Sequence, residues 1–310
     1  MEDIREPPVI PQRQIKHLVV SGGSIWGFTG FGILFEAIEC GFLNMADIES
    51  VYATSAGTII ATMLILKINH HILFDYLLKR PWETVCKQNK YSVLEIYDAK
   101  GLFHKGVIEN IFSPLFKSVD LTTDITLQEL YEWSKVDLHI YTTELNEFKS
   151  VDISHSTHPH WRVLDAIYAS CSIPLVFSPL IIENECYLDG GIFVNYPIEN
   201  CLAKVENVHE IFGISLGNSK INEETIQYAN VTSTSNIFDI ITTVFNKMLQ
   251  KHVFQKQPHT VEIPYQIRCL QNTTAELFMT SLYDRGFRQS LLNDGIDRMK
   301  HACKTWFIHC

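Results

Sequence analysis

The stretch from Glu49 to Lys67, ESVYATSAGTIIATMLILK, limits what this chain can fold into more than any other. An apolar run rich in strand-forming residues ends at Thr54, a serine follows, and a long apolar segment begins at once. That order predicts a strand, a sharp turn at Ser55 and a helix from about Ala56 onward. So tight a turn needs small neighbours, and Ala53, Ala56 and Gly57 supply them. Such an elbow lifts the Ser55 hydroxyl above the end of a sheet, beside a helix N-terminus that favours negative charge.

Bulk properties narrow the class. A chain of 310 residues can bury one sizeable core, so one main domain with a smaller appendage is expected. With 46% apolar and 19% charged residues it is of globular type. A formal net charge of −10 argues against broad nucleic-acid binding and against purely electrostatic attachment to anionic lipid. The opening residues, MEDIREPPVIPQRQ, lack the apolar centre of a signal peptide. The longest apolar run, Ala56 to Leu66, falls short of the roughly 20 residues that span a bilayer. The expectation is a cytoplasmic protein, peripheral to membranes, with no signal peptide or transmembrane segment. Its eight cysteines form no C-x-x-C pair and read as free thiols in a reducing compartment, with no structural zinc.

Along the chain, residues 1–16 read as an irregular leader, because Pro7, Pro8 and Pro11 exclude helix and central strand. His17 to Ser21 reads as a buried strand, Gly22 to Gly27 as a glycine turn, and the residues through Ile38 as a helix. This βα unit is followed by the one carrying Ser55, which favours a parallel, doubly wound sheet. The segment from His70 to Trp133 reads as mostly helical. Strands are expected at Asp137 to Thr143, before Asp189-Gly190-Gly191, and at Ile211 to Leu216, the last taken as the final strand. Val163 to Ala169 reads as a helix. Residues 17–218 then form the catalytic domain, and 219–310 a mostly helical region packed on it. Within that region Ser235 to Phe254 is amphipathic, facing either the core or a membrane, and a last helix spans about Asp284 to Lys304. The architecture expected is a three-layer α/β/α sandwich around a mostly parallel sheet.

Three elements carry chemistry. Backbone amides in the turn Gly22–Gly27 can donate to an oxyanion or a phosphate. A dinucleotide site would need G-x-G-x-x-G, which is absent. Ser55 stands on its elbow, and Asp189 ends a strand before two glycines. A serine, a carboxylate base in direct contact and an oxyanion hole suffice for acyl transfer.

These stretches resemble the motifs of the patatin-like phospholipases, lipid acyl hydrolases with a Ser-Asp dyad. SGGSIWG (Ser21 to Gly27) is similar to the family's D-G-G-G-x-[KR]-G, ATSAG (Ala53 to Gly57) to G-x-S-x-G, and Asp189 to Gly191 to D-G-[GA]. ASCSIPLVFSP (Ala169 to Pro179) resembles a fourth block, and Asn195 and Pro197 suit the family. The resemblance implies Ser55 as nucleophile, Asp189 as base, and the amides of Gly22, Gly23 and Ser24 as oxyanion hole. Gly27, Ala53, Gly57, Gly190 and Gly191 support these motifs. It further implies a lipid or membrane-surface substrate, no cofactor and no metal; oligomeric state stays open. The chain departs from the pattern at Ser24, where a third glycine is usual, at Trp26, where Arg or Lys is usual, and at Ala53. The Trp26 indole either faces the cleft, favouring neutral or zwitterionic esters, or packs beneath the turn.

Three other readings compete. His209, His252, His259, His301 and His309 follow Asp189, in the chain order of a Ser-Asp-His hydrolase. His155, His158 and His160 share a polar loop and are of metal-ligand type. A catalytically silent lipid-binding protein would retain the same fold.

Overall fold

The structure, a computed structural model, describes residues 14–86, 98, 100–216, 262–269 and 274–307. Its centre is a mostly parallel sheet. Strand β1 (His17–Val20) lies between β2 (Ser50–Thr54) and β9 (Ile211–Leu216), both parallel to it. Beyond β2 runs β4 (Asp137–Glu144), again parallel. Two short strands, β3 (Gly101–Phe103) and β6 (Leu175–Phe177), pair separately. Three antiparallel strands complete the β4 side: β5 (Lys149–Ile153) on β4, β8 (Glu185–Asp189) on β4, and β7 (Leu180–Ile182) on β8.

Successive side chains of a strand point to opposite faces, and strands of a sheet covered on both faces read as near-continuous apolar runs. Leu18, Val20, Val51, Ala53, Leu138 and Ile140 face the larger core, while Val19, Tyr52 and Tyr141 face a second core containing Ile198 and Cys201. Full burial of one such aliphatic side chain contributes about 1.5–3 kcal/mol, which fixes the strand register firmly.

The larger core lies under α1 (Gly27–Glu39), α2 (Ala56–Ile65) and the helix Val163–Cys171. The long helix Arg285–Phe307 crosses α1 with backbones in contact. A Cβ on Gly32 would lie 2.1 Å from the Leu292 carbonyl oxygen, and one on Gly295 2.1 Å from that of Thr29. Neither position can carry a side chain at this separation.

The sheet departs from expectation at one edge. Ile211–Leu216 is not the last strand, because β10 (Tyr265–Cys269) adds to it in parallel. Its residues alternate buried and half-buried, a period of two compressed into five residues. The segment expected as the amphipathic helix 235–254 lies outside the described residues. Among the described residues no helix is long and apolar enough to cross a membrane.

Candidate active site

One strand brings the two separated motifs together. β5 occupies one edge of β4 from Ile140 to Glu144, which leaves β2 and β8 to share the other edge. Thr54 pairs with Tyr141, and Asp189 pairs with the next residue, Thr142. β2 and β8 therefore meet end to end along β4, and Ser55, one step beyond β2, arrives beside Asp189.

The Ser55 hydroxyl donates to Asp189 Oδ2 at 2.6 Å. The other carboxylate oxygen, Oδ1, accepts from the Gly191 amide at 2.7 Å. Ser55 and Asp189 are each only 7% exposed. Burial is the largest influence on the Asp189 carboxyl and pushes it up to about 6, while the bonds from Ser55 and Gly191 pull it back down. A group titrating near 6 is ionised at neutral pH yet retains real proton affinity, as a general base requires.

The elbow is held open by its surroundings. Ser55 has φ 51° and ψ −126°, a conformation that L residues rarely adopt. Its amide donates to Ser170 Oγ at 2.8 Å, and Ser170 in turn donates to the Tyr141 carbonyl at 2.6 Å. Ala53 is fully buried. A Cβ on Gly57 would meet the carbonyl oxygens of Val20 and Ser21 at 2.5 and 2.6 Å, so α2 starts with its backbone against the end of β1. Gly190 is likewise obligatory, since its Cβ would lie 2.1 Å from the Tyr141 oxygen.

The glycine turn abuts the elbow. A Cβ on Gly22 would fall 3.0 Å from that of Ser55, and one on Gly27 3.3 Å from that of Ala56. The Gly22 amide, however, already donates to the Asn195 carbonyl at 3.0 Å. That bond corrects the expectation of three free donors in the turn: Gly22 fastens it to the loop after Asp189. The amides of Gly23 and Ser24 stand at the start of the 3-10 turn Ser24–Trp26 leading into α1, where first-turn amides have no partner within the helix. Ser24 has φ 52°, so the serine occupies the glycine-type conformation that its family position calls for. Trp26 is half-buried and packs on the larger core, with its indole Nε1 enclosed and unpartnered among the described residues.

Four of the competing histidines are placed against other residues. His155 bonds Asp137 at 3.0 Å and stacks on Tyr131 at 3.8 Å, while His158 bonds Thr157 and meets Trp161 edge-on. His209 sits beside Tyr265, and His301 lines a cavity of about 490 Å³ along β10 and the long helix. His252, His259 and His309 lie outside the described residues. Ser170 and Asn195 are the site residues whose roles sequence reasoning missed. Both lie in stretches singled out for resemblance, without anything to show that one anchors the elbow and the other the turn.

A family model of patatin-like phospholipases matches residues 18–202. The chain belongs to the patatin-like phospholipases. Among relatives of this patatin-like chain, the uncharacterized protein R571 of Acanthamoeba polyphaga mimivirus is 25% identical over 218 residues, 70% of this chain and 71% of that protein. The probable lipid hydrolase 463L of Invertebrate iridescent virus 6 is 27% identical over 187 residues, 59% of this chain and 62% of that one. VipD from Legionella pneumophila shares the fold with a TM-score of 0.56 at 14% identity, over 96% of this chain and 67% of VipD. Membership of the patatin-like family makes lipid-ester hydrolysis the general activity and a lipid the class of substrate.

Proposed function

We propose that this protein cleaves fatty-acyl esters through a Ser55–Asp189 dyad and an acyl-enzyme. The observation that carries this reading is the direct 2.6 Å bond from the Ser55 hydroxyl to a buried carboxylate, made on a strained elbow. Asp189 takes the Ser55 proton as Oγ attacks the ester carbonyl. The negative oxygen that forms is met by the amides of Gly23 and Ser24, next to the N-terminal end of α1. Collapse expels the alcohol, which leaves with the proton held by Asp189. Water then attacks the acyl-enzyme, Asp189 again accepts the proton, and the fatty acid departs as Ser55 is restored. The probable lipid hydrolase 463L supports the same substrate class by its description.

The test is hydrolysis of phospholipid and neutral acyl-ester vesicles by the purified chain and by Ser55→Ala. Fatty-acid release that depends on Ser55 is expected. Release equal in the two proteins, or none from either, overturns the proposal.

A further inference from the structure

Away from the site, two cysteines that are 263 residues apart in the chain meet at the α1–long helix contact. Cys40 Sγ lies 3.6 Å from Cys303 Sγ. Cys40 caps the C-terminal end of α1 and is exposed, and Cys303 is half-buried. Neither can drift far from the other. On one side Lys300 reaches Glu36 at 3.9 Å, and on the other the tilted rings of Trp306 and Phe42 lie 5.1 Å apart. Leu292, Gly295, Met299, Cys303 and Trp306 succeed one another at helical spacing, so Cys303 belongs to the stripe facing α1.

We infer that Cys40 and Cys303 are a reversible oxidation site, at which a peroxide forms a disulfide that staples α1 to the long helix. The Cys40 thiolate attacks hydrogen peroxide, giving a sulfenic acid and hydroxide. The Cys303 thiol then displaces water from that sulfenic acid, and the S–S bond forms. Overall, two thiols are oxidised by two electrons and one peroxide is reduced to two waters. A dithiol reductant reverses the step. The two sulfurs must approach from 3.6 Å to the roughly 2.05 Å of a disulfide.

The chemistry favours this pair. The hydrogen bond shared with Cys303 draws the Cys40 thiol down to about 7, against the effect of burial, which favours its thiolate. Burial instead pushes up the thiols of Cys86, Cys171, Cys186, Cys201 and Cys269, which keeps them protonated and slow to react. The ring closed by the bond runs from residue 40 to residue 303 and encloses both Ser55 and Asp189. A loop that long restricts the unfolded chain strongly, and oxidation should raise thermal stability.

The experiment uses the full chain, reduced and then treated with hydrogen peroxide at near-stoichiometric amounts. Non-reducing peptide mass mapping should find Cys40 joined to Cys303. The melting temperature should rise by about 5 °C or more and return on adding dithiothreitol. Cys40→Ser and Cys303→Ser should each abolish both the link and the rise. Cys40 recovered as sulfinic acid with Cys303 still free would overturn the inference. So would a linked protein that melts no higher than the reduced one.

Discussion

Ser55 and Asp189, 134 residues apart in the chain, share a 2.6 Å hydrogen bond because β4 pairs Thr54 and Asp189 with adjacent residues. In the proposed dyad the base therefore reaches the nucleophile directly, with no imidazole between them. If Asp189 is the base, as proposed, its ionisation sets the pH dependence of the reaction. On an uncharged soluble ester, kcat/KM should rise with pH through a midpoint near 6, where the buried carboxyl ionises. A pH–rate profile flat between pH 5 and 7 would remove Asp189 as the base.

Stability should run opposite to activity in this window. The folded carboxyl binds its proton up to about 6, whereas the unfolded one loses it near 3.8. Between those values the folded state holds more protons, so stability falls as pH rises. At neutral pH the buried charge costs of the order of 3 kcal/mol. In Asp189→Asn the amide oxygen can still accept from the Gly191 amide while its NH2 donates to Ser55 Oγ, which removes the charge and reverses the Ser55 bond. It should melt higher than the parent at pH 7 and lose activity about as fully as Ser55→Ala. Melting curves at pH 4 and pH 7 check the sign, because the gap between the two proteins should shrink at pH 4.

His139 has a second, alkaline window. Burial pulls its imidazole down, but bonds and charges from Asp137 and Asp152 outweigh that and hold it at about 9. A raised imidazole contributes stability that is complete below about 6.5 and lost as pH climbs through 9, again of the order of 3 kcal/mol. The wild type should lose stability over that range relative to His139→Asn. Parallel curves for the two proteins would show that the imidazole is not charged in the fold. The same variant should hydrolyse esters at a near-normal rate below pH 8, since His139 has no role in the proposed chemistry.

In the glycine turn proposed as the oxyanion site, substitutions at Gly23 and Ser24 should have opposite effects. A Cβ on Gly23 would lie 2.6 Å from that of Leu216 and 2.7 Å from its carbonyl oxygen. Gly23→Val should therefore displace the turn and cost on the order of a hundred- to a thousandfold in turnover, the usual loss for one oxyanion donor. Ser24→Gly relieves a positive φ and should be neutral or faster, with equal or higher stability. Turnover of a soluble ester by both variants checks this pair of opposite outcomes.

Ser170 positions the elbow without reaching substrate. Ser170→Ala leaves the Ser55 amide and the Tyr141 carbonyl buried and short of a partner, at about 1–3 kcal/mol for each group. Lower stability and a lower kcat are expected, with KM little changed. Ser170→Thr should recover part of both if the hydroxyl is what matters.

What the sequence made legible follows from how local each signal is. The elbow at Ser55 and the corner at Asp189-Gly190-Gly191 are written in consecutive small residues, since the steric demand falls on neighbours in the chain. The third-glycine position was legible as well: Ser24 adopts the conformation a glycine there would take. Strand β10 was not, because YQIRC offers only three buried positions and joins the sheet across a long interval of sequence. The Gly22 amide was read as a free donor because its partner, the Asn195 carbonyl, is 173 residues away and is a backbone group that leaves no trace in composition. Trp26 stood between two readings, and its half-buried indole packs on the core on one side.

The most direct measurement of the proposed dyad is labelling by a serine-reactive fluorophosphonate, followed by mapping of the modified peptide. Labelling at Ser55 is predicted, absent in Ser55→Ala and strongly slowed in Asp189→Asn. Each histidine-to-alanine variant should still label at near the parent rate. A folded parent protein that takes no label, or one whose labelling at Ser55 vanishes on losing a single histidine, would contradict the Ser55–Asp189 mechanism.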